Sequence, residues 1–355
     1  MPYVGSSFWF DSLSDGTYIA VAHAISPRIS VYPWDIDTGF GTKFADPATL
    51  PVSDGRDVDF GPPAYDIFGA IASQEIAVGH TTTPFVSVYP WSSAGFGTKF
   101  ADPSTLPAAN GQNVQFSPAG TSFAVAHASS PYVTAYTWVP AVGFGSKVAN
   151  PVDLPTGNGF SVRFSYDGFE MVVGHGSTPY ISVYEWGEFT GFGTKFSAPA
   201  TTPAGLAVRG VSFTTTTDNL ALAHDTTPFV SVYGWSNGFG TKYSDPATLP
   251  TGNGQGVNFN YESNTIVVAH STSPRISAYP WSAAGFGTKY SDPATIPTGG
   301  GDEVAFNPSG NTVAVAHTTS PRISVYPWSA ATGFGTKYSD PATLPTGNGQ
   351  GVDFF

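Results

Sequence analysis

Residues 316–328 read "AHTTSPRISVYPW", and the phrase does not occur only once. Close copies start at Ala22, Gly79, Ala126, Gly174, Ala223 and Ala269. The seven histidines, His23, His80, His127, His175, His224, His270 and His317, are each followed eleven residues later by a tryptophan, Trp34 through Trp328. Beyond each Trp comes Gly-Phe-Gly-Thr/Ser-Lys, which accounts for every lysine from Lys43 to Lys337. A further 17 or 18 residues lead to Phe60, Phe116, Phe164, Phe213, Phe259, Phe306 or Phe354.

Inside a unit the side-chain period is two: "TSFAVAH" and "YVTAYTW" alternate as strands do, and turns such as "SPAG" punctuate them. Each unit therefore supplies four strands, A to D, with strand A ending at the Phe and strand B at the His. Repeats of this length, four strands each, predict an all-β chain, a seven-bladed β-propeller of four-stranded antiparallel blades spanning residues 1–355. Both "SSFWF" near the start and "GQGVDFF" at the end fit the strand A slot of the first blade. The spacing from Lys337 to Phe354 favours the C-terminal copy, so residues 351–354 are expected to close the ring and the first ten residues to pack outside the regular sheet.

The turns "SPAG" and "NPSG", with a His, Ser/Thr, Trp and Asp in every unit, resemble WD-repeat seven-bladed propellers. The Trp is not followed by the usual Asp, and the His ends strand B, so the hydrogen-bonded tetrad of that family does not transfer residue by residue. The phrase "VAVAH…SVYPWS…GFGTKYSDPATLP" also resembles tandem propeller repeats of tailed bacteriophages. That resemblance implies a non-enzymatic module of a phage virion, on the tail or surface, for protein–protein contact or host attachment. Virion proteins or a host-surface glycan or receptor would be its partners. A lectin-like glycan-binding propeller is the alternative, and a glycoside hydrolase the outsider.

Composition narrows the classes. A net charge of -12 opposes the phosphate neutralisation that nucleic-acid binding requires. The absence of cysteine removes disulfides and thiolate chemistry. One His per blade spreads these ligands round a ring, too far apart for a metal. The first sixteen residues lack a secretory pattern, and no window has the length of a membrane span. The expectation is a chain without membrane insertion, metal, cofactor or catalytic residues, found in the virion or in the producing cell's cytoplasm before assembly, as a monomer attached to a larger assembly.

Function should break the sevenfold symmetry. The residue after the Ser/Thr-Pro of each B-to-C loop is Arg28, Phe85, Tyr132, Tyr180, Phe229, Arg275 or Arg322, an arginine arc and an aromatic arc fit for ligand binding. Blade two carries nine extra residues between Phe60 and His80, with Tyr65, Ile67, Phe68 and Ile71 as a partner-docking element. Asp54, Asp57, Asp59, Asp225, Asp302 and Glu303 vary among blades on the face of the B-to-C and D-to-A loops, here the first face. They read as solvated loop acids, because no motif pairs them as a glycosidase would need. The lysines read as guards on the outermost strands.

Overall fold

The computed structural model describes residues 18–65 and 71–355. Seven four-stranded antiparallel sheets, free of helix among the described residues, form seven blades of a β-propeller. Blade 2, for example, runs outward through Gly55–Phe60, Glu75–His80, Val86–Ser92 and Gly95–Phe96. Blade 1 takes its inner strand from the C-terminus, where Gly349–Phe354 pairs with Tyr18–His23. The first ten residues lie outside the described residues, as do Ile67 and Phe68.

Strand B is buried on both faces, which explains its near-continuous apolar runs such as "TVAVAH". The core is divided among the blade junctions. Ile19, Val21, Tyr32 and Trp34 of blade 1 pack on Ala314, Ala316, Ile323 and Val325 of blade 7, and this arrangement recurs round the ring. Each Trp closes a junction through edge-on aromatic contacts. Trp34 meets Phe40 of its own blade at 5.1 Å and Tyr338 of the preceding blade at 4.8 Å. The buried tyrosine two residues before each Trp donates its hydroxyl to the preceding D-to-A connection, as Tyr279 does to the Thr248 carbonyl at 2.8 Å.

All seven histidines are fully buried, each with Nε2 hydrogen-bonded at 2.9–3.1 Å to the Ser or Thr seven residues on. The lysines are not exposed guards. The Lys43 side chain is only 13 % exposed and its ammonium pairs with Asp46, a geometry repeated at Lys99, Lys242, Lys289 and Lys337. Strand D is two residues long in four blades and ends before the Lys, whereas in blades 3 to 5 it runs to Lys147, Lys195 and Lys242.

Candidate site at the channel mouth

Strand A lines the central channel, and in every blade it begins with a β-bulge. In blade 2, Gly55 faces His80 and Asp57 faces Gly79, so Arg56 lies outside the ladder. The same slip frees Gln112, Phe160, Arg209, Gln255, Asp302 and Gln350. A bulge re-aims the side chain it releases. Here all seven converge at the first-face end of the channel, where with Asn113 and Glu303 they line a cavity of about 210 Å³. Blade 5 carries Val208 before its bulge, but the other six blades carry glycine, and a Cβ on Gly111 would lie 2.5 Å from the Phe85 carbonyl oxygen of the preceding blade.

Below the mouth, side chains of strand A knit neighbouring blades together. Asp353 accepts a hydrogen bond from the Phe60 N–H at 2.8 Å, Asp59 from Phe116 at 2.8 Å, and Gln115 from Phe164 at 2.6 Å. Ser212 and Asn258 repeat the bond to Phe259 and Phe306, both at 3.2 Å. One layer nearer the mouth, Asp57 accepts from Asn113 Nδ2 at 2.6 Å and from the Val114 N–H at 2.9 Å. Blade 4 departs from the pattern. It places Arg163 where five blades place an acceptor and blade 7 has Ala305, and the guanidinium reaches Glu303 Oε1 of blade 7 at 3.2 Å and Asp59 Oδ1 of blade 2 at 3.9 Å.

Three arginines and five carboxyls thus share the channel. Burial pushes the Asp302 carboxyl up to about 7, although Arg56 and Arg209 pull it down. Burial and the neighbouring Asp57 drive Glu303 well above the ordinary range. Burial and Asp353 do the same to Asp59, and burial brings Asp353 itself to about 7. Burial raises Asp57 as well, against the attraction of Arg163 and a hydrogen bond from Glu303. The group therefore holds protons near neutrality that isolated carboxylates would have lost, and it titrates as a unit. Arg163 keeps its charge, because the surrounding carboxylates outweigh its burial.

At the rim, the Arg209 guanidinium lies over the Phe160 ring, 5.0 Å from its centroid, with Asp225 Oδ2 3.9 Å away. The buried Nε atoms of Arg56 and Arg209 have no hydrogen-bond partner among the described residues. With Arg56 and Arg209 in its lining, the mouth can fix an anion beside groups able to give and take protons. Among the described residues, no three metal-ligating side chains converge.

Two of the loop acids are not solvated: Asp57 and Asp59 are 2 % and 6 % exposed, because strand A turns them into the channel. Asp302 and Glu303 join them at the mouth. Asp54 stays outside, paired with Arg28 at 3.2 Å, and Asp225 accepts from the Leu206 and Ala207 N–H groups.

Arg28, Phe85, Tyr132, Tyr180, Phe229, Arg275 and Arg322 sit half-buried on the B-to-C loops, one step outside the mouth. Each follows a cis X–Pro bond and has a φ of 70–77°, which turns its carbonyl back to the strand B histidine N–H. The three arginine heads fold onto their own loops, with Arg275 and Arg322 donating to the Ser271 and Thr318 carbonyls at 2.5 and 2.7 Å. In the blade 2 insertion, Tyr65 and Ile71 lie on a two-stranded hairpin and are 63 % and 53 % exposed.

The sequence reading named Asp302 but passed over Arg56, Arg163, Arg209 and the other members of the bulge ring. The signal was present: the residue after the first position of strand A runs Arg, Gln, Phe, Arg, Gln, Asp, Gln around the ring, behind a position that is glycine in six blades.

No protein-family model matches the sequence, and no curated protein is significantly similar to it. Solved structures do share its fold. A Bacteroides fragilis protein provisionally named a 6-phosphogluconolactonase superposes with a TM-score of 0.72 at 12 % identity, over 97 % of this chain and 99 % of its own. The Pseudomonas aeruginosa periplasmic gluconolactonase gives 0.66 at 14 % identity, over 95 % of this chain and 98 % of its own. A Bacteroides uniformis protein, also provisionally named a 6-phosphogluconolactonase, gives 0.70 at 12 %, over 95 % and 99 %. At such identities the likeness shows the fold alone.

These neighbours overturn the expectation of a non-enzymatic phage module or lectin without catalytic residues. The propellers named here are neither phage nor WD-repeat proteins, and their names are those of lactone hydrolases. The phrases behind the earlier resemblance encode strand pairing and blade packing, which propellers of unrelated function share.

Proposed function

We propose that the protein is a hydrolase that opens a small anionic lactone at the first-face mouth of the channel. The observation that carries this reading is the bulge ring, which gathers Arg56, Arg209 and Asp302 beside Glu303 in one polar cavity. The names of the structural neighbours supply the reaction class.

Asp302, which ionises near pH 7, takes a proton from the water that adds to the lactone carbonyl. Arg56 and Arg209 hold the anionic substituent and stabilise the oxygen on which charge develops. Glu303 carries a proton shared with Asp57 and delivers it to the ring oxygen as the carbon–oxygen bond breaks. One water is consumed, one hydroxy acid leaves, and the proton on Asp302 passes to solvent while Glu303 is reprotonated.

The test is proton release from glucono-δ-lactone and its 6-phosphate, measured above spontaneous hydrolysis. The wild-type rate should rise through about pH 7, and Asp302→Asn should lower kcat by on the order of 10²-fold with an unchanged circular dichroism spectrum. A wild-type rate equal to that of buffer on both lactones refutes the reading.

A further inference from the structure

Five of the seven blades place a hydrogen-bond acceptor four residues beyond the position that precedes the bulge and use it to hold the next blade. Among the described residues, that bond is missing at Phe213, which faces Arg163, and at Phe354, which faces Ala305. The two exceptions fit one another. Blades 4 and 7 stand three places apart in a ring of seven, so Arg163 must cross the channel to reach Glu303. Ala305 lies on the same side of its strand as Glu303, two residues on, and its methyl offers the next blade no acceptor.

We propose that Arg163 is a positioning residue of the mouth: it gives up the blade-to-blade bond its position makes elsewhere and instead fixes the Glu303 carboxyl, and through it Asp57, beneath the bulge ring. This inference rests on the hydrolase reading for what Glu303 does, but not for how it is held. The charged groups facing Arg163 are Asp57 and Asp59 from blade 2, Asp353 from blade 1 and Glu303 from blade 7. Above them stand Asp302, Arg56 and Arg209. Arg163 is the one cation in the lower layers among the described residues, so it sets how many protons the four carboxyls there must hold.

The informative variant is Arg163→Gln, because glutamine is what blade 3 carries at this place and it can accept from the Phe213 N–H as Gln115 does from Phe164. At pH 6, above the acid transition of the histidines and with Asp353 still holding its proton, the variant should melt at or above the wild-type temperature. At pH 8 it should melt lower, because the buried carboxylates have lost their cation. Carbon-13 carboxyl titration should show Glu303 and Asp57 releasing protons at higher pH by about one unit, a tenfold change in their proton affinity. The alkaline limb of lactone hydrolysis should move the same way, with kcat falling more than KM changes. Arg163→Lys, which keeps the charge without the planar fork, should restore the melting profile but not kcat.

An unchanged carboxyl titration in Arg163→Gln, or equal loss of stability at both pH values, overturns the inference. If wild-type protein hydrolyses neither lactone, the hydrolase reading fails while the titration and melting arms still decide the role of Arg163. If hydrolysis is present and its alkaline limb stays fixed in the variant, the reaction stands and Arg163 is only structural.

Discussion

Lowering the pH from 7 forces seven buried imidazoles to choose between remaining neutral and unfolding the protein. Each histidine is 0 % exposed, and burial depresses its pKa from 6.5 to about 4. Between these values the unfolded chain binds more protons than the folded one, so this stability is complete above pH 6.5 and lost as pH falls toward 4. At pH 5 the shift costs about 2 kcal/mol per histidine, or about 14 kcal/mol for seven, against a typical total stability of about 5–15 kcal/mol. The channel works in the opposite direction. Asp302 and Asp353, raised from 3.8 to about 7, stabilise the fold as pH falls from 7, by about 2 kcal/mol each at pH 5. Asp57, Asp59 and Glu303, raised as well, act in the same sense, so seven imidazoles are set against five carboxyls. Tryptophan fluorescence against pH should show an acid transition below about pH 5.5. His175→Gln, with one imidazole fewer, should move its midpoint to lower pH. An unmoved midpoint in that variant, or histidine Cε1 resonances that titrate near 6.5 in the folded protein, refutes the argument.

Two further outcomes follow from packing. Gly111→Ala would drive a methyl into the Phe85 carbonyl and should destabilise the fold by about 3 kcal/mol, read from urea midpoints; a change below about 0.5 kcal/mol contradicts the close approach. Deleting residues 350–355 removes most of the inner strand of blade 1, the buried Val352 and Phe354, and the Asp353 bond to Phe60. Melting should fall by on the order of 10 °C, and an unchanged melting temperature would show that another segment fills the slot.

The scaffold was legible because the same packing problem is solved seven times. The unvarying eleven-residue step from His to Trp fixes two strands and their turn, and the 17-residue step from Lys337 to Phe354 singles out the C-terminal strand that pairs with Tyr18–His23. The lysines were misread because a period-two pattern does not say where strand D stops, and in four blades it stops short of the Lys. Asp57 and Asp59 were visible as acids, but alternation alone could not show that they face a channel rather than water. Arg163 was hidden for a different reason: its partner is 140 residues away on the far side of the ring.

The bulge explains why the site can differ between blades that are otherwise copies. A residue within the ladder must match its cross-strand neighbours, and strand B allows little beyond Val, Ile, Leu, Met and Ala at its buried positions. A bulged residue is released from that pairing while the glycine before it and the buried Val two residues after it hold the backbone in place, as at Gly55 and Val58 or Gly301 and Val304. Side chains as different as Arg56, Phe160 and Asp302 can then occupy equivalent places at no cost to the sheet. Seven such positions point into one cavity, so the propeller separates the residues that make it fold from the residues that give the mouth its charge. The exception is Arg163, which sits in the blade-to-blade layer and could enter it only because one junction does without its hydrogen bond.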